Sequence, residues 1–279
     1  MNTCSRTSAI HLVAFLFAGL LPAQGALLFE EDWSSYDVGT NQATITGTTG
    51  NWIRAFSNSN EHFVIAAHPD SESFPAGKVL ATKTSYTNPT NIPRITSRTD
   101  FTVEQGVKIE YSLSLNTATS GQLAIRIGLA QPKTGETSSF DSELYVSLNS
   151  TSIGFTGSGT AAPPSGTSWP SYTWEPGEFS LETFYNFTHE IVPVSEGVVR
   201  STIYMGNKEL LSYQYSLSGS FKAIISPRDA SPAMVDACID YIRVSSFVPI
   251  PESSATAAMI LLGTGAGALA AAGKLRGQR

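Results

Sequence analysis

Between residues 107 and 244 apolar and polar residues alternate with a period of two. Val107, Ile109, Tyr111, Leu113 and Leu115 fall on one side of an extended segment, with Lys108, Glu110, Ser112 and Ser114 between them. Successive side chains of a strand point to opposite faces, so this spacing predicts a strand with one face in a core and the other in water. Leu123, Ile125, Ile127 and Leu129 repeat the pattern after Ser120-Gly121, and Leu144, Val146 and Leu148 repeat it after Thr134-Gly135. Further strands are expected at 153–155, 179–181, 185–191, 198–205, 210–215, 221–225 and 237–244. Gly206-Asn207 and Ser218-Gly219 have the composition of tight turns, in which glycine supplies the positive φ. No stretch between residues 26 and 247 carries helical spacing. Many short strands separated by turn residues predict an all-β chain, a two-sheet antiparallel sandwich of the jelly-roll kind. The segment 157–177, rich in Gly, Pro, Ser and Thr, is expected as a long surface loop inside this one domain, because strands resume after it.

Both ends depart from this pattern. At the start, Arg6 precedes an apolar stretch from Ala9 to Leu21, then Pro22 and the small-residue site Ala23-Gln24-Gly25. This is the layout of a secretory signal peptide over residues 1–25, cleaved after Gly25. At the other end, Val248-Pro249-Ile250-Pro251-Glu252-Ser253 leads into 19 uncharged residues, Ala255 to Gly273, followed by Lys274, Arg276 and Arg279. As a helix, that run spans about 28 Å, close to the hydrocarbon core of a bilayer. Basic residues stay on the cytoplasmic side, so the tail is expected to anchor in the inner membrane and leave residues 26–247 outside the cytoplasm. Residues 245–254 would link the body to the membrane helix in an extended, proline-stiffened form.

The tail resembles the PEP-CTERM sorting signal, in which a Pro-Glu-Pro motif precedes a hydrophobic helix and a basic terminus. Pro251 and Glu252 match the motif, while Ser253 stands where the second proline is usual. The resemblance covers residues 248–279. It implies recognition by an exosortase-type transpeptidase as partner and delivery to the cell surface or the extracellular space. An ordinary membrane anchor explains the helix and the cations as well, but not the prolines and glutamate before them. A second resemblance lies at the ends of the body. Leu28-Phe29-Glu30-Glu31-Asp32-Trp33-Ser34-Ser35-Tyr36-Asp37-Val38-Gly39 is similar to the opening of concanavalin-like (laminin-G-like) jelly rolls, and Ile239-Asp240-Tyr241-Ile242-Arg243-Val244 to their last strand. It implies that the first and last strands lie together.

With the two targeting ends set aside, 13 cations face 22 acids, a net charge of −9 on the body. Such a surface excludes nucleic acid as a partner, because phosphates need a basic face. The mature chain keeps a single cysteine, Cys238, so no internal disulfide can hold a body of about 220 residues and its core must do so. Cys238 lies in a strand pattern, as a small buried hydrophobe would.

Candidate chemistry is sparse. A glycosidase needs two carboxylates about 5–9 Å apart, and no Glu-x-Asp-x-x-Glu strand occurs. Glu175 and Glu178 straddle Pro176-Gly177 and read as solvated loop carboxylates. His62, His68 and His189 lie in neither a zinc-helix spacing nor a nucleophile elbow. Glu30, Glu31, Asp32 and Asp240 are candidates for a structural calcium ion tying first strand to last, set against ordinary solvent-facing charges. Trp169, Tyr172 and Trp174, crowded into the loop, are candidate glycan-binding rings that could stack on a sugar; alternatively they fold back over the open end of the sandwich. The sequence therefore predicts a non-catalytic exoprotein of structural or adhesive role in the cell envelope or its exopolysaccharide matrix. A carbohydrate-binding module is the alternative, and a polysaccharide hydrolase or lyase stands behind it.

Overall fold

The alternating segments become strands because each can place one row of side chains in a shared core. A computed structural model describes residues 25–54, 63–82, 94–116, 124–133, 140–159, 161, 163, 167–228 and 236–246. Among them are fifteen strands: β1 (Leu27–Glu31), β2 (Trp52–Arg54), β3 (Phe63–Ala67), β4 (Lys78–Thr82), β5 (Ile95–Thr102), β6 (Val107–Leu115), β7 (Ala124–Pro132), β8 (Phe140–Leu148), β9 (Ser152–Ser158), β10 (Ser171–Thr173), β11 (Tyr185–Ser195), β12 (Val198–Met205), β13 (Lys208–Ser216), β14 (Ser220–Arg228) and β15 (Ala237–Ser246). They form two antiparallel sheets. One has eight strands in the order β13-β12-β11-β6-β15-β4-β3, with β1 also paired to β15; the other has seven, β10-β9-β8-β7-β14-β5-β2.

The last strand sits inside its sheet. One edge of β15 pairs with β6 along its whole length, while the other is shared, Cys238 and Ile239 facing β4 and Ile242 to Ser245 facing β1. Ser246 N–H donates to the carbonyl of Ala26 at 2.9 Å, and Ala26 N–H donates to Ser246 Oγ at 2.9 Å. First and last strands therefore lie together, as the jelly-roll resemblance implies.

The sheets bury facing rows. Val107, Ile109, Tyr111, Leu113 and Leu115 of β6 oppose Ile127 and Leu129 of β7, Leu144 and Val146 of β8, and Phe221 and Ile225 of β14 in one continuous core. Each such side chain contributes about 1.5–3 kcal/mol by leaving water, and only the two-layer arrangement buries all of them. Aromatic pairs close the side of the core near β1. Phe29 meets Trp52 edge-on at 5.3 Å, and Trp33 stacks on Trp52 at 5.8 Å. Trp33 has φ 61°, a left-handed conformation costly for a bulky residue. Its N–H donates to the Glu31 carboxylate at 3.0 Å, which stabilises the turn.

Several sequence expectations are corrected. Residues 179–181 form no strand but part of a covering loop, in which Phe179 lies between Trp174 and Tyr185. The segment 157–177 is not loop throughout, because Ser171–Thr173 pairs with β9 as the edge strand β10. One helical turn, Gln42–Ile45, is capped by the Asn41 side chain accepting from Thr44 N–H, and a 3-10 turn spans Val103–Gln105. The strands β2 to β5 were hidden. In β5, Thr96 and Ser97 are buried polar residues, and Ser97 Oγ accepts from Ala223 N–H at 2.9 Å, so hydropathy does not alternate where the structure does. The signal peptide up to Gln24, the sorting motif Val248 to Ser253, the apolar run Ala255 to Gly273, and the turns at 120–121 and 134–135 lie outside the described residues. Among the described residues no helix is long and apolar enough to cross a membrane.

His189 occupies the inner face of β11, fully buried. Its Nε2 lies 3.0 Å from Ser201 Oγ, which in turn bonds the Tyr215 hydroxyl, while Nδ1 has no partner. Burial pulls its pKa down to about 3. Between pH 6.5 and 3 the unfolded chain therefore holds a proton on this ring that the folded chain lacks, so stability falls as pH falls through that window. Urea unfolding of the wild type should lose stability from pH 7 to pH 5, and His189→Leu should flatten that slope. An unchanged slope in the variant would contradict this assignment.

Candidate functional site

Two places on the sandwich collect polar and aromatic side chains. The first is the edge where β10 of one sheet and β13 of the other run out. The loop from Trp174 to Phe184 crosses this edge, laying Trp174 on Phe179 at 4.9 Å and Phe179 on Tyr185 at 4.9 Å, both stacked. Tyr172 meets Trp174 edge-on at 5.8 Å, and Trp169 packs on Tyr215 at 5.5 Å. All three candidate glycan-binding rings, Trp169, Tyr172 and Trp174, are half-buried against the core. Their polar tips are engaged as well. Trp174 Nε1 donates to the Asn149 carbonyl at 3.1 Å, and the Tyr172 hydroxyl donates to Glu178 Oε2 at 2.8 Å.

Glu178 is not the solvated carboxylate its loop position suggests. Lys208 Nζ, from the start of β13, reaches its Oε1 at 2.7 Å and the Tyr172 hydroxyl at 2.9 Å. Although desolvation works against the charge, the Lys208 ammonium, the Glu175 N–H and the Tyr172 hydroxyl together hold the Glu178 carboxyl below its usual range. This is a clamp between the sheets: Glu178 belongs to the loop after β10, and Lys208 to the outermost strand of the other layer. Exposed Glu175 contributes its N–H to the same carboxylate at 3.0 Å.

The second place is the outer face of the seven-stranded sheet. Leu144, Val146 and Leu148 of β8 point into the core, which turns Glu143, Tyr145 and Ser147 outward. Arg94, just before β5, donates from Nη1 to Glu143 Oε1 at 2.6 Å, and the Tyr145 hydroxyl donates to the same oxygen. Ser158 Oγ of β9 lies 3.3 Å from Glu143 Oε2. The Arg126 guanidinium, from β7, stands 5.2 Å over the Tyr145 ring, and that of Arg94 stands 5.6 Å over Phe140. Ala130, Ile224 and Phe140 pack around Tyr145, whose ring is buried. That burial pushes the phenol far above its usual range, so it stays a donor. The register of β8 shifts opposite Gln131 and Pro132, which puts Phe140 beside Tyr145 on this face and interrupts the alternation at Asp141.

The remaining candidates stand apart. Glu30 points outward to Arg243, and Glu31 points inward, accepting from Trp33 N–H and from Asn51 Nδ2 at 3.1 Å. Burial, the larger effect, holds the Glu31 carboxyl above its usual range. Asp32 accepts from Ser34 N–H and Oγ at 3.0 and 2.7 Å, and Asp240 faces His68 Nε2 at 4.0 Å. Among the described residues no three His, Cys, Asp or Glu side chains group to hold a metal ion. His68 is buried between Phe74 and Phe184 at 4.6 and 4.7 Å, and His62 lies outside the described residues. Cys238 is buried, and its thiol is pushed up by burial.

The Arg94, Glu143, Tyr145 and Arg126 cluster was missed in the sequence. An aromatic at the outward position 145 of an otherwise polar row was the one available signal. Arg94 lies 49 positions from Glu143, and only the sheet order brings them together.

No protein-family model matches the chain, and no curated protein does. Solved structures do match. An endo-1,3-beta-glucanase from Streptomyces sioyaensis superposes with a TM-score of 0.55 at 15% identity, over 82% of this chain and 99% of that one. A single-residue mutant of the Emp46p carbohydrate recognition domain gives 0.50 at 13%, over 82% and 100%. A variant of the alginate lyase Aly36B in complex with an alginate trisaccharide gives 0.50 at 11%, over 81% and 100%. These structures share the two-sheet antiparallel jelly-roll fold of the body. Identities this low speak to the fold and not to the chemistry.

The edge rings pack against the core and against one another. Trp174→Ala should lower unfolding free energy by about 3 kcal/mol, since it removes a stacked ring and takes from the Asn149 carbonyl the indole N–H it accepts. Chemical denaturation checks this; a change below about 0.5 kcal/mol would mean that the ring is not part of the closure.

Proposed function

We propose that this chain is an exported carbohydrate-binding exoprotein without catalytic activity, of adhesive or structural role at the cell surface. The tail from Val248 to Arg279 would sort it through an exosortase-type transpeptidase after a stay in the inner membrane. One observation supports the binding reading above the others: the Arg94, Glu143, Tyr145 and Arg126 cluster on the outer face of the seven-stranded sheet. Guanidinium groups held in fixed positions offer forked donors to sugar hydroxyls and carboxylates, and the buried Tyr145 ring beneath Arg126 holds that guanidinium in place. The Emp46p domain, whose title names carbohydrate recognition, and the alginate lyase, whose title names a bound trisaccharide, are consistent with this use of the fold.

The geometry of the cluster supports binding over catalysis. Glu143 is engaged by Arg94, Tyr145 and Ser158 at once, and the register shift at β8 keeps the alternation from presenting Asp141 as its partner. Glycoside hydrolysis needs two carboxylates facing across the bond. A second reading, a polysaccharide hydrolase or lyase, draws on the Tyr145 hydroxyl and Glu143 lying together beside two guanidinium groups. An enzyme would release reducing or unsaturated ends from a polysaccharide, and Glu143→Gln would abolish that release.

On a glycan array and in polysaccharide pull-downs, the wild type should be retained on at least one envelope polysaccharide without degrading it. The double variant Arg94→Ala/Glu143→Gln removes both partners of the ion pair, leaves no stranded charge, and should reduce retention at least tenfold. No retention on any glycan, or retention unchanged in the double variant, would reject the proposal. Sorting is tested with an epitope inserted upstream of Val248: in a strain without exosortase the protein should change in size or leave the envelope fraction. Identical mass and location in both strains would leave an ordinary anchor.

A further inference from the structure

Two guanidinium groups and one carboxylate gather around the Tyr145 hydroxyl. Arg94 lies just ahead of β5 and Glu143 on β8, and β14 and β7 stand between those strands, so their ion pair is laid across the face of the seven-stranded sheet. Arg126 rises from β7 on the same side, because Ile125, Ile127 and Leu129 of that strand point into the core. Its ladder neighbours are Ser147 of β8 and Ser226 of β14. Burial keeps the Tyr145 phenol protonated and a donor, and the Arg94 and Arg126 charges are both felt there, which brings the two cations to one spot.

This spot is rich in donors, and its one acid is taken up. Glu143 accepts from Arg94 Nη1 at 2.6 Å, from the Tyr145 hydroxyl, and on its other oxygen from Ser158 Oγ at 3.3 Å. Guanidinium groups only donate, whereas a sugar hydroxyl both donates and accepts and is best held by a mixed set of partners. A carboxylate only accepts, so a donor-rich site suits an acidic sugar better than a neutral one. The structure also shows how the site holds a carboxylate, since Glu143 supplies one from within. The pair is partly withdrawn from water: the Arg94 and Glu143 side chains are 16% and 12% exposed, and Ala130, Tyr145 and Ile224 point outward from three adjacent strands yet are buried. A cation so placed attracts an anion more strongly than one in open solvent, and the guanidinium fork matches the two oxygens of a carboxylate.

We infer, resting on the carbohydrate-binding reading above, that the polymer met by this face is an acidic polysaccharide, whose uronate carboxylate accepts from Arg94 in place of Glu143, beside Arg126. Glu143 is then an internal stand-in for the ligand. It holds Arg94 in position across the sheet and gives way when the polymer arrives. This sets the sign of one substitution against intuition: removing the charge of Glu143 takes away a competitor, whereas a neutral glycan that used Glu143 as its acceptor would lose a contact.

The probe is polygalacturonic acid, compared with the same polymer after its carboxyl groups are reduced to give neutral galactose units, each titrated against the full chain in detergent by biolayer interferometry. The acidic polymer should bind at least tenfold tighter than the reduced one, and more weakly as salt is added. Glu143→Gln keeps an amide oxygen for the Tyr145 and Ser158 hydroxyls and should tighten acidic binding about threefold, while Arg94→Gln should weaken it at least fivefold. Because Glu143→Gln takes a charged partner from a half-buried cation, its Tm should fall, and a galacturonate oligomer should raise that Tm further than it raises the wild type's. Equal binding of the two polymers by the wild type, or weaker acidic binding in Glu143→Gln, would overturn the inference. If both polymers are retained alike and Arg94→Ala/Glu143→Gln loses both, the inference falls and the binding reading stands. If no glycan is retained at all, that reading falls and takes the inference with it.

Discussion

The constraint on which the architecture rests is the interior position of β15. A last strand flanked on one edge by β6 and on the other by β4 and β1 cannot be added as an ornament. Until it is in place, β6 and the β3–β4 hairpin have no common neighbour, and the facing apolar rows of the two sheets cannot all be covered. Ile239, Ile242 and Val244 carry this role through the core, and the Ala26–Ser246 hydrogen bonds finish it at the surface. Pairings this distant in sequence make the fold slow to assemble but bring Ala26 and Ser246, at the two ends of the body, to a single point.

The same economy decides where binding chemistry can sit. On the side of β1 the core is closed by Phe29, Trp33 and Trp52, and on the opposite side by the rings from Trp169 to Tyr185 with the Glu178–Lys208 clamp between layers. Rings engaged in closure have little face left for a ligand. The outer face of the seven-stranded sheet has another character, since Arg94, Arg126, Glu143 and Tyr145 there are joined to one another and contribute nothing to the interface between layers.

Much of the fold was legible in the chain because water enforces the alternation. β6, β8 and β11 to β15 each carry an apolar row, and Gly206 adopts the positive φ that its turn composition anticipates. The loss at β5 has a plain cause: Thr96 and Ser97 are buried with hydrogen-bond partners, and polarity there reports bonding instead of exposure. At the edge, a loop rich in Gly and Pro gave no hint that Ser171–Thr173 would pair with β9. The site was least legible of all, because Arg94 and Glu143 meet through strand order and not through any spacing. Of the two readings the loop aromatics left open, the packing of their rings favours closure of the sandwich.

On the proposed function, polysaccharide meets the outward row of β8. Hydrogen exchange read by mass spectrometry, with and without the polysaccharide that retains the protein, tests it most directly. Added protection is expected across β7, β8 and the start of β5, with the 167–185 segment unchanged. Protection centred on 167–185, with β8 unaffected, would contradict it.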